Sequence, residues 1–288
     1  LDARYMVFGF TRTGKTTFAA ALWHQVDSEE IPTVLTKGKH AGQFAYVAEI
    51  SEAWAEGFEV ERTTVTQVEN IRINLLDSGS ASKVALEFDD LSGETFEQAF
   101  ATRLCPEKFV ELVKGARGML LFVSADRHND DAVTILDAFD AEEDETQAVA
   151  DPNDWDGTKT PLQVQLVDLL QCLQRAPFSM VPMRVAVIVS AWDLVPQDET
   201  DPARWLEKRY PLLSQYLGNS EGATDVRIYG VSAQGGKLSK KGNGPGPDRE
   251  RLLATMPASK RVKVVGPETT EHDITRPLMW LAGLETAS

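Results

Sequence analysis

The chain has 288 residues, 42% of them hydrophobic and 25% charged, which is enough to bury a large core and too apolar for disorder throughout. The net charge of −15 disfavours nucleic-acid binding, because an acidic surface repels phosphate backbones. No apolar run approaches the ~20 residues of a membrane-spanning helix, no secretory signal is recognisable, and the four histidines and two distant cysteines, Cys105 and Cys172, lack metal-ligand spacing, which fits a reducing cytoplasm rather than a zinc or disulfide framework.

The chain begins at Leu1 with a strand following almost at once, suggesting a domain cut from a longer protein or a processed chain. Tyr5-Met6-Val7-Phe8 reads as a short apolar strand. Gly9-Phe10-Thr11-Arg12-Thr13-Gly14-Lys15-Thr16 follows and matches G-x-x-x-x-G-K-[ST] without a mismatch. A helix from about Lys15 to Val26 comes next. Strand, glycine-bounded loop and helix N-terminus together make an anion site. Successive backbone N–H groups, through Arg12, Thr13, Gly14 and Thr17, curve around phosphate, and the helix dipole adds favourable potential. Lys15 is expected to reach the β- and γ-phosphates, and the Thr16 hydroxyl to bind Mg²⁺. The bland alternative is a glycine-rich turn capping an ordinary helix.

The stretch from His40 to Gly57 has helical apolar spacing at Phe44, Val47, Ala48, Ile50 and Trp54. Thr63 and Thr64, before the next strand, are candidates to complete the Mg²⁺ shell; Thr64 is the choice carried forward, and Arg62 lies beside them. Ile71–Leu76 and Val84–Phe88 read as two strands joined by the turn Asp77–Ser82, an antiparallel pair. The second ends in Asp89-Asp90-Leu91-Ser92-Gly93-Glu94. An aspartate after an apolar strand beside a phosphate loop is placed to hold Mg²⁺. Asp90 is preferred to Asp89 because it sets Gly93 at the D-x-x-G offset, where the glycine N–H meets the γ-phosphate. Glu94 is a candidate to orient the attacking water. As a carboxylate it accepts a hydrogen bond and cannot donate one; its alternative role is to pair with a cation and hold the loop.

Met119–Val123 and Val185–Val189 are continuous apolar runs, the mark of central strands buried on both faces. Between them, residues 126 to 156 hold twelve carboxylates against Arg127 alone, about −11 of the net charge. This is either a solvated insertion or a docking face for a basic partner. Leu162–Leu173 and Trp205–Leu217 read as amphipathic helices. Strand Val185–Val189 ends in Ser190-Ala191-Trp192-Asp193. Asp193 is the candidate to accept from the N1–H and N2 amino groups of guanine, a pairing adenine does not offer. The alternative is a strand-to-helix turn with Asp193 as its cap. Val226–Val231 is the last strand of the core, and Ser232-Ala233 after it is the candidate to meet guanine O6. Gly235–Pro247 is rich in Gly, Lys, Ser and Pro and reads as a mobile loop. Arg276–Leu281 starts a terminal helix with proline in its first turn.

Strands and helices alternate, so the expected fold is α/β: a P-loop NTPase three-layer sandwich, its sheet mostly parallel with one antiparallel strand. The chain is expected to be one domain over residues 1–288, with an acidic insertion at about 126–160 and a Gly/Lys-rich loop at about 235–260.

Taken in order, Gly9–Thr16, Asp90–Gly93, Ser190–Asp193 and Ser232-Ala233 resemble the motifs of translation-factor-class (TRAFAC) P-loop GTPases. The Asp-Leu-Ser-Gly-Glu loop, the altered base motif and the terminal Pro-Leu-Met-Trp-Leu helix resemble bacterial double-GTPase proteins of conflict or defence systems. The resemblance covers most of the chain. It implies binding of GTP and GDP, Mg²⁺-dependent hydrolysis and a switch acting on protein partners. Ala191 and Gln234 depart from the family pattern, each standing where lysine is usual. The acidic insertion and the Gly235–Pro247 loop have no counterpart in it. An ATPase without base specificity and a nucleotide-binding scaffold with little turnover remain the alternative readings.

Overall fold

The computed structural model describes residues 3–39, 44–59, 71–88, 94–126, 160–181, 183–219, 224–240, 246–267 and 269–284. The described strands are β1 (Ala3–Phe8), β2 (Leu35–Lys37), β3 (Ile71–Asp77), β4 (Lys83–Phe88), β5 (Ala116–Ser124), β6 (Met183–Ser190), β7 (Thr224–Ser232), β8 (Lys263–Gly266) and β9 (Thr269–Glu271). They form one sheet in the order β2-β3-β4-β1-β5-β6-β7-β8-β9. The central five, β4, β1, β5, β6 and β7, are parallel. At one edge β3 runs against β4 and β2, and at the other β8 runs against β7 and β9.

The described helices are α1 (Lys15–Ser28), α2 (Phe44–Ala55), α3 (Glu94–Thr102), α4 (Glu107–Lys114), α5 (Leu162–Gln174), α6 (Pro202–Arg209), α7 (Pro211–Gly218), α8 (Arg249–Ala254) and α9 (Arg276–Leu281). The two-residue period of the strands divides the core between two layers. Tyr5 and Val7 of β1, Leu120 and Phe122 of β5 and Ala186 and Ile188 of β6 face α1, α2 and α9. Met6 and Phe8, Leu121 and Val123, and Val187 and Val189 face α3 to α7. The runs Met119–Val123 of β5 and Val185–Val189 of β6 are apolar at every position because both faces are covered. Helix α1 packs on the sheet through small residues. Ala19, Ala20 and Ala21 are fully buried, and their small side chains let the helix backbone approach β1. Phe18 then meets Phe122 edge-on, with ring centroids 5.2 Å apart.

Strand β1 is the switch point of the sheet. The chain leaves it to build β2, β3 and β4 on one side and then crosses to β5, β6 and β7 on the other. The carboxyl ends of strands that diverge in this way leave a crevice, and ligands of open α/β sheets bind there. Residues 9–14 emerge into it.

Three expectations change. The sheet has two counter-running strands rather than one, since β8 joins β3; at four residues β8 is too short to carry a periodic signal. The single helix expected over Trp205–Leu217 is two helices, broken at Tyr210 (φ −129°, ψ 59°). Pro211 lacks an N–H and disfavours helical geometry in the residue before it. The stretch at about 235–260, expected as a loop, contains α8 and the start of a 3-10 turn at Ala258–Arg261. Leu252 buries against the core there, which gives a six-residue helix an apolar anchor. The carboxylate-rich segment lies almost wholly outside the described residues.

The β3–β4 hairpin is closed by Asp77. Its carboxylate accepts from the N–H of Gly79, the N–H of Ser80 and the Ser80 hydroxyl. The Ser80 hydroxyl, followed by the two backbone donors, holds the Asp77 carboxyl below its ordinary value against an opposing effect of burial. Replacing Asp77 with alanine is expected to cost about 1–2 kcal/mol by loss of these bonds. The folded-state value is depressed, so the contribution is present above the ordinary carboxylate range near pH 4 and is lost as pH falls through the lower folded value. Urea unfolding of the wild type and Asp77→Ala at pH 7 and at pH 3 checks this; a difference that does not narrow at pH 3 contradicts it.

Candidate functional site

The loop from Gly9 to Gly14 wraps around the ammonium group of Lys15. Nζ donates to the carbonyl of Gly9 at 2.6 Å and to that of Phe10 at 2.9 Å. The side chain is only 2% exposed. The Thr13 hydroxyl donates to the Phe10 carbonyl at 2.8 Å and is fully buried, so the loop is braced from within. Gly9 is required by crowding: a Cβ there would lie 2.7 Å from Thr13 Oγ1 and 2.8 Å from Phe122 Cβ. Gly14 caps α1 in the left-handed region (φ 82°), which glycine enters without steric cost. Arg12, exposed at the tip, is also left-handed (φ 65°). The amides of Lys15, Thr16 and Thr17 open α1, where N–H groups have no partner within the helix. A loop of this shape at the positive end of a helix dipole holds anions.

The candidate base-reading residues lie where β6 and β7 stop side by side. Ser190 closes β6; its hydroxyl donates to Val123 O at 3.2 Å. Its side chain stands 3.2 Å from the place a Cβ would occupy on Gly14, so β6 abuts the phosphate loop directly. Ala191 turns the chain through the left-handed region (φ 54°) into the 3-10 turn Trp192–Leu194. Asp193 is exposed, and its Oδ1 accepts from the Ser232 hydroxyl at 2.6 Å. The same Ser232 oxygen accepts from the Gly235 N–H at 3.1 Å. Asp193 and the Ser232-Ala233 loop, 39 residues apart, are thus brought together. Trp192 does not offer its face to this site as an open base platform. It is 5% exposed and packs edge-on against Trp205, with centroids 6.3 Å apart. A Cβ on Gly230 would fall 2.3 Å from its ring.

The loop after β7 is held from below by residues with no motif signature. Trp54, fully buried in α2, donates Nε1–H to the Ala233 carbonyl at 2.9 Å. Arg261 donates to the carbonyls of Trp54 and Ala55 at 3.3 and 2.9 Å. Burial pushes the Arg261 guanidinium below its usual range, opposed by the charge of Glu30. From the side, Arg251 donates to the Gly235 carbonyl and Asp248 accepts the Lys237 N–H, each at 2.9 Å. A cleft of about 580 Å³ opens on Asp193 and Ser232, with Lys260, Lys263 and His272 on its far wall.

Asp90, Gly93, Thr63 and Thr64 lie outside the described residues. Glu94 begins α3; its side chain lies outside the described residues. One acidic residue that pattern reading overlooked does meet the phosphate loop: Glu97, on the first turn of α3, accepts the Thr11 N–H at 3.1 Å. Among the described residues no three His, Cys, Asp or Glu side chains gather as a metal cluster, and no helix is long and apolar enough to cross a membrane.

A largely parallel sheet, a phosphate loop at its switch point and a paired Asp and Ser at the ends of β6 and β7 define a P-loop α/β protein of the GTPase type. A sequence model of the family Double-GTPase 1 (DO-GTPase1) matches residues 6–281. The chain belongs to the Double-GTPase 1 family. No curated protein matches it in sequence. Among solved structures, it is similar to the Saccharomyces cerevisiae Ski7 GTPase-like domain bound to GTP (12% identity, TM-score 0.42, 88% of this chain and 49% of that one). It is also similar to Sup35 complexed with GDP (13% identity, TM-score 0.36, 88% and 44%). A third is a bacterial selenocysteine-specific elongation factor, EF-Sec (12% identity, TM-score 0.33, 81% and 26%). The chain spans about half or less of the length of these structures. Identities of 12–13% place no residue of this chain on theirs.

Proposed function

We propose that this chain binds GTP and hydrolyses it with Mg²⁺, and that the GTP- and GDP-bound forms signal to protein partners in a multi-protein bacterial conflict system. The observation that carries the reading is the Ser232–Asp193 hydrogen bond of 2.6 Å at the ends of β6 and β7, where Ser190 of β6 abuts the phosphate loop. The phosphate loop suits an anion, and the Asp193 carboxylate suits a base with adjacent N–H donors. Thr16, with Asp90 and Thr64, would hold Mg²⁺; a hydroxyl-and-carboxylate donor set suits this hard cation. When bound, the ion neutralises charge on the phosphate oxygens.

The remaining work falls to the chain itself. Lys15 and the loop amides bind and orient the phosphates, Gly93 N–H meets the terminal one, and Glu94 orients water. Arg12, Thr13, Gly14 and Thr17 surround the phosphates, and the Ala233 amide lies by the base oxygen. With catalysis limited to positioning and electrostatics, turnover without a partner is expected to be slow.

Competition binding against labelled GTP, followed by phosphate release with and without Mg²⁺, tests the reading. GTP should displace the label and ATP should not at equal concentration. Equal displacement by ATP would instead favour an ATPase lacking base specificity. Tight GTP binding without release, alone or with partners, would favour a scaffold.

A further inference from the structure

The Glu97 contact sets a carboxylate against a loop built to hold anions. Oε1 lies 3.1 Å from the Thr11 nitrogen, within the limb Gly9–Thr11 whose carbonyls at Gly9 and Phe10 accept from the Lys15 ammonium. Lys15 in such loops reaches the β- and γ-phosphates, so this limb borders the terminal end of the phosphate chain. Phe96, the residue before Glu97, packs on Phe8 of β1 and Phe109 of α4, with centroids 5.1 and 5.7 Å away, so the start of α3 is anchored beside the strand that feeds the loop. Helix α3 also borders a largely apolar cavity of about 130 Å³, lined by Phe10, Phe96, Phe100 and Phe109. Movement of α3 over that space would displace few close-packed atoms.

We propose that Glu97 discriminates nucleoside triphosphate from diphosphate: its carboxylate latches α3 to the Thr11 amide when the terminal-phosphate position is open, and a third phosphate repels it. The inference rests on the nucleotide-binding reading above. A carboxylate within a few ångströms of a phosphate is repelled by it. Part of the binding energy of the triphosphate is therefore consumed in releasing the latch, and the diphosphate is spared that cost. Differential affinity of this kind biases α3 between two positions.

The test is titration of the full chain, with Mg²⁺ present, against fluorescent GDP and a fluorescent non-hydrolysable GTP analogue, for the wild type, Glu97→Gln and Glu97→Ala. Glu97 is exposed, so both variants should fold. Both are expected to bind the triphosphate analogue about three- to tenfold more tightly while GDP affinity stays within about twofold. An unchanged ratio in both variants, or an equal shift for both nucleotides, overturns the proposal. A shift in Glu97→Ala but not in Glu97→Gln overturns it as well, because the charge is then not the cause. A wild type that binds neither nucleotide overturns the latch together with the nucleotide-binding reading. If the wild type binds both and only the ratio fails to move, the latch alone falls.

Discussion

Lys15→Ala is expected to abolish phosphate release and to weaken triphosphate binding by about 100-fold or more, because it removes the one fixed cation of the phosphate loop. The ammonium has a second role: it donates at 2.6 and 2.9 Å to the carbonyls of Gly9 and Phe10 and ties the loop's first limb to the start of α1. Removing it leaves those carbonyls without this charged donor, each such bond being worth about 1.5–3 kcal/mol. Loss of binding should thus come with a lower melting temperature. Lys15→Met keeps the aliphatic stem and separates packing from charge: binding should remain lost, with less of the stability cost. Calorimetric titration, phosphate release and thermal melts of both variants supply the readings. Turnover within tenfold of the wild type in Lys15→Ala would remove Lys15 from the reaction.

Asp193→Asn is expected to turn base preference from guanine to xanthine by about 100-fold or more, as for sites that read a base through paired polar groups. The side chain is already half committed. Oδ1 accepts from Ser232 at 2.6 Å, and asparagine retains that acceptor. The second oxygen becomes an NH₂ donor, which opposes the N2 amino group of guanine and pairs with the C2 carbonyl of xanthine. The Ser232 bond should keep the new side chain oriented, so the change tests chemistry rather than loop order. Competition of GTP and XTP for a labelled nucleotide gives the preference; an unaltered order of affinities would take Asp193 out of the base site.

The parts of the site that could be read along the chain are local ones. The step from Phe8 through Gly9–Gly14 into α1 is a strand, a loop and a helix start contiguous in sequence, and each glycine has a steric duty there. Strands β5 and β6 were legible because burial on both faces leaves an unbroken apolar run. The break at Tyr210-Pro211 was missed, because the amphipathic spacing on either side masked the signal that proline carries. Strands β2, β8 and β9 are three or four residues long; they exist because a neighbouring edge offers hydrogen bonds, and nothing in their composition announces that. In the same way Trp192, beside Ala191 where lysine is usual, carries an aromatic face that the order of residues alone leaves free to meet a base. Packing decided otherwise, because glycine at position 230 leaves room for the Trp192 ring and Trp205 covers it.

By itself the sequence determined the phosphate-loop motif, the buried central strands β5 and β6 and the alternation of strands and helices. These follow from periodicity and from residue types that only certain backbones and ligands accept. The strand order in the sheet and the contact of Asp193 with Ser232 came from the structure. Only the tertiary structure decided what holds the site in place. Trp54 meets Ala233 across 179 residues, and Glu97 meets Thr11 across 86. Such contacts exist because the sheet and its helices bring distant segments to one edge. Tryptophan and glutamate at those positions read in sequence as an ordinary core residue and an ordinary exposed helix residue.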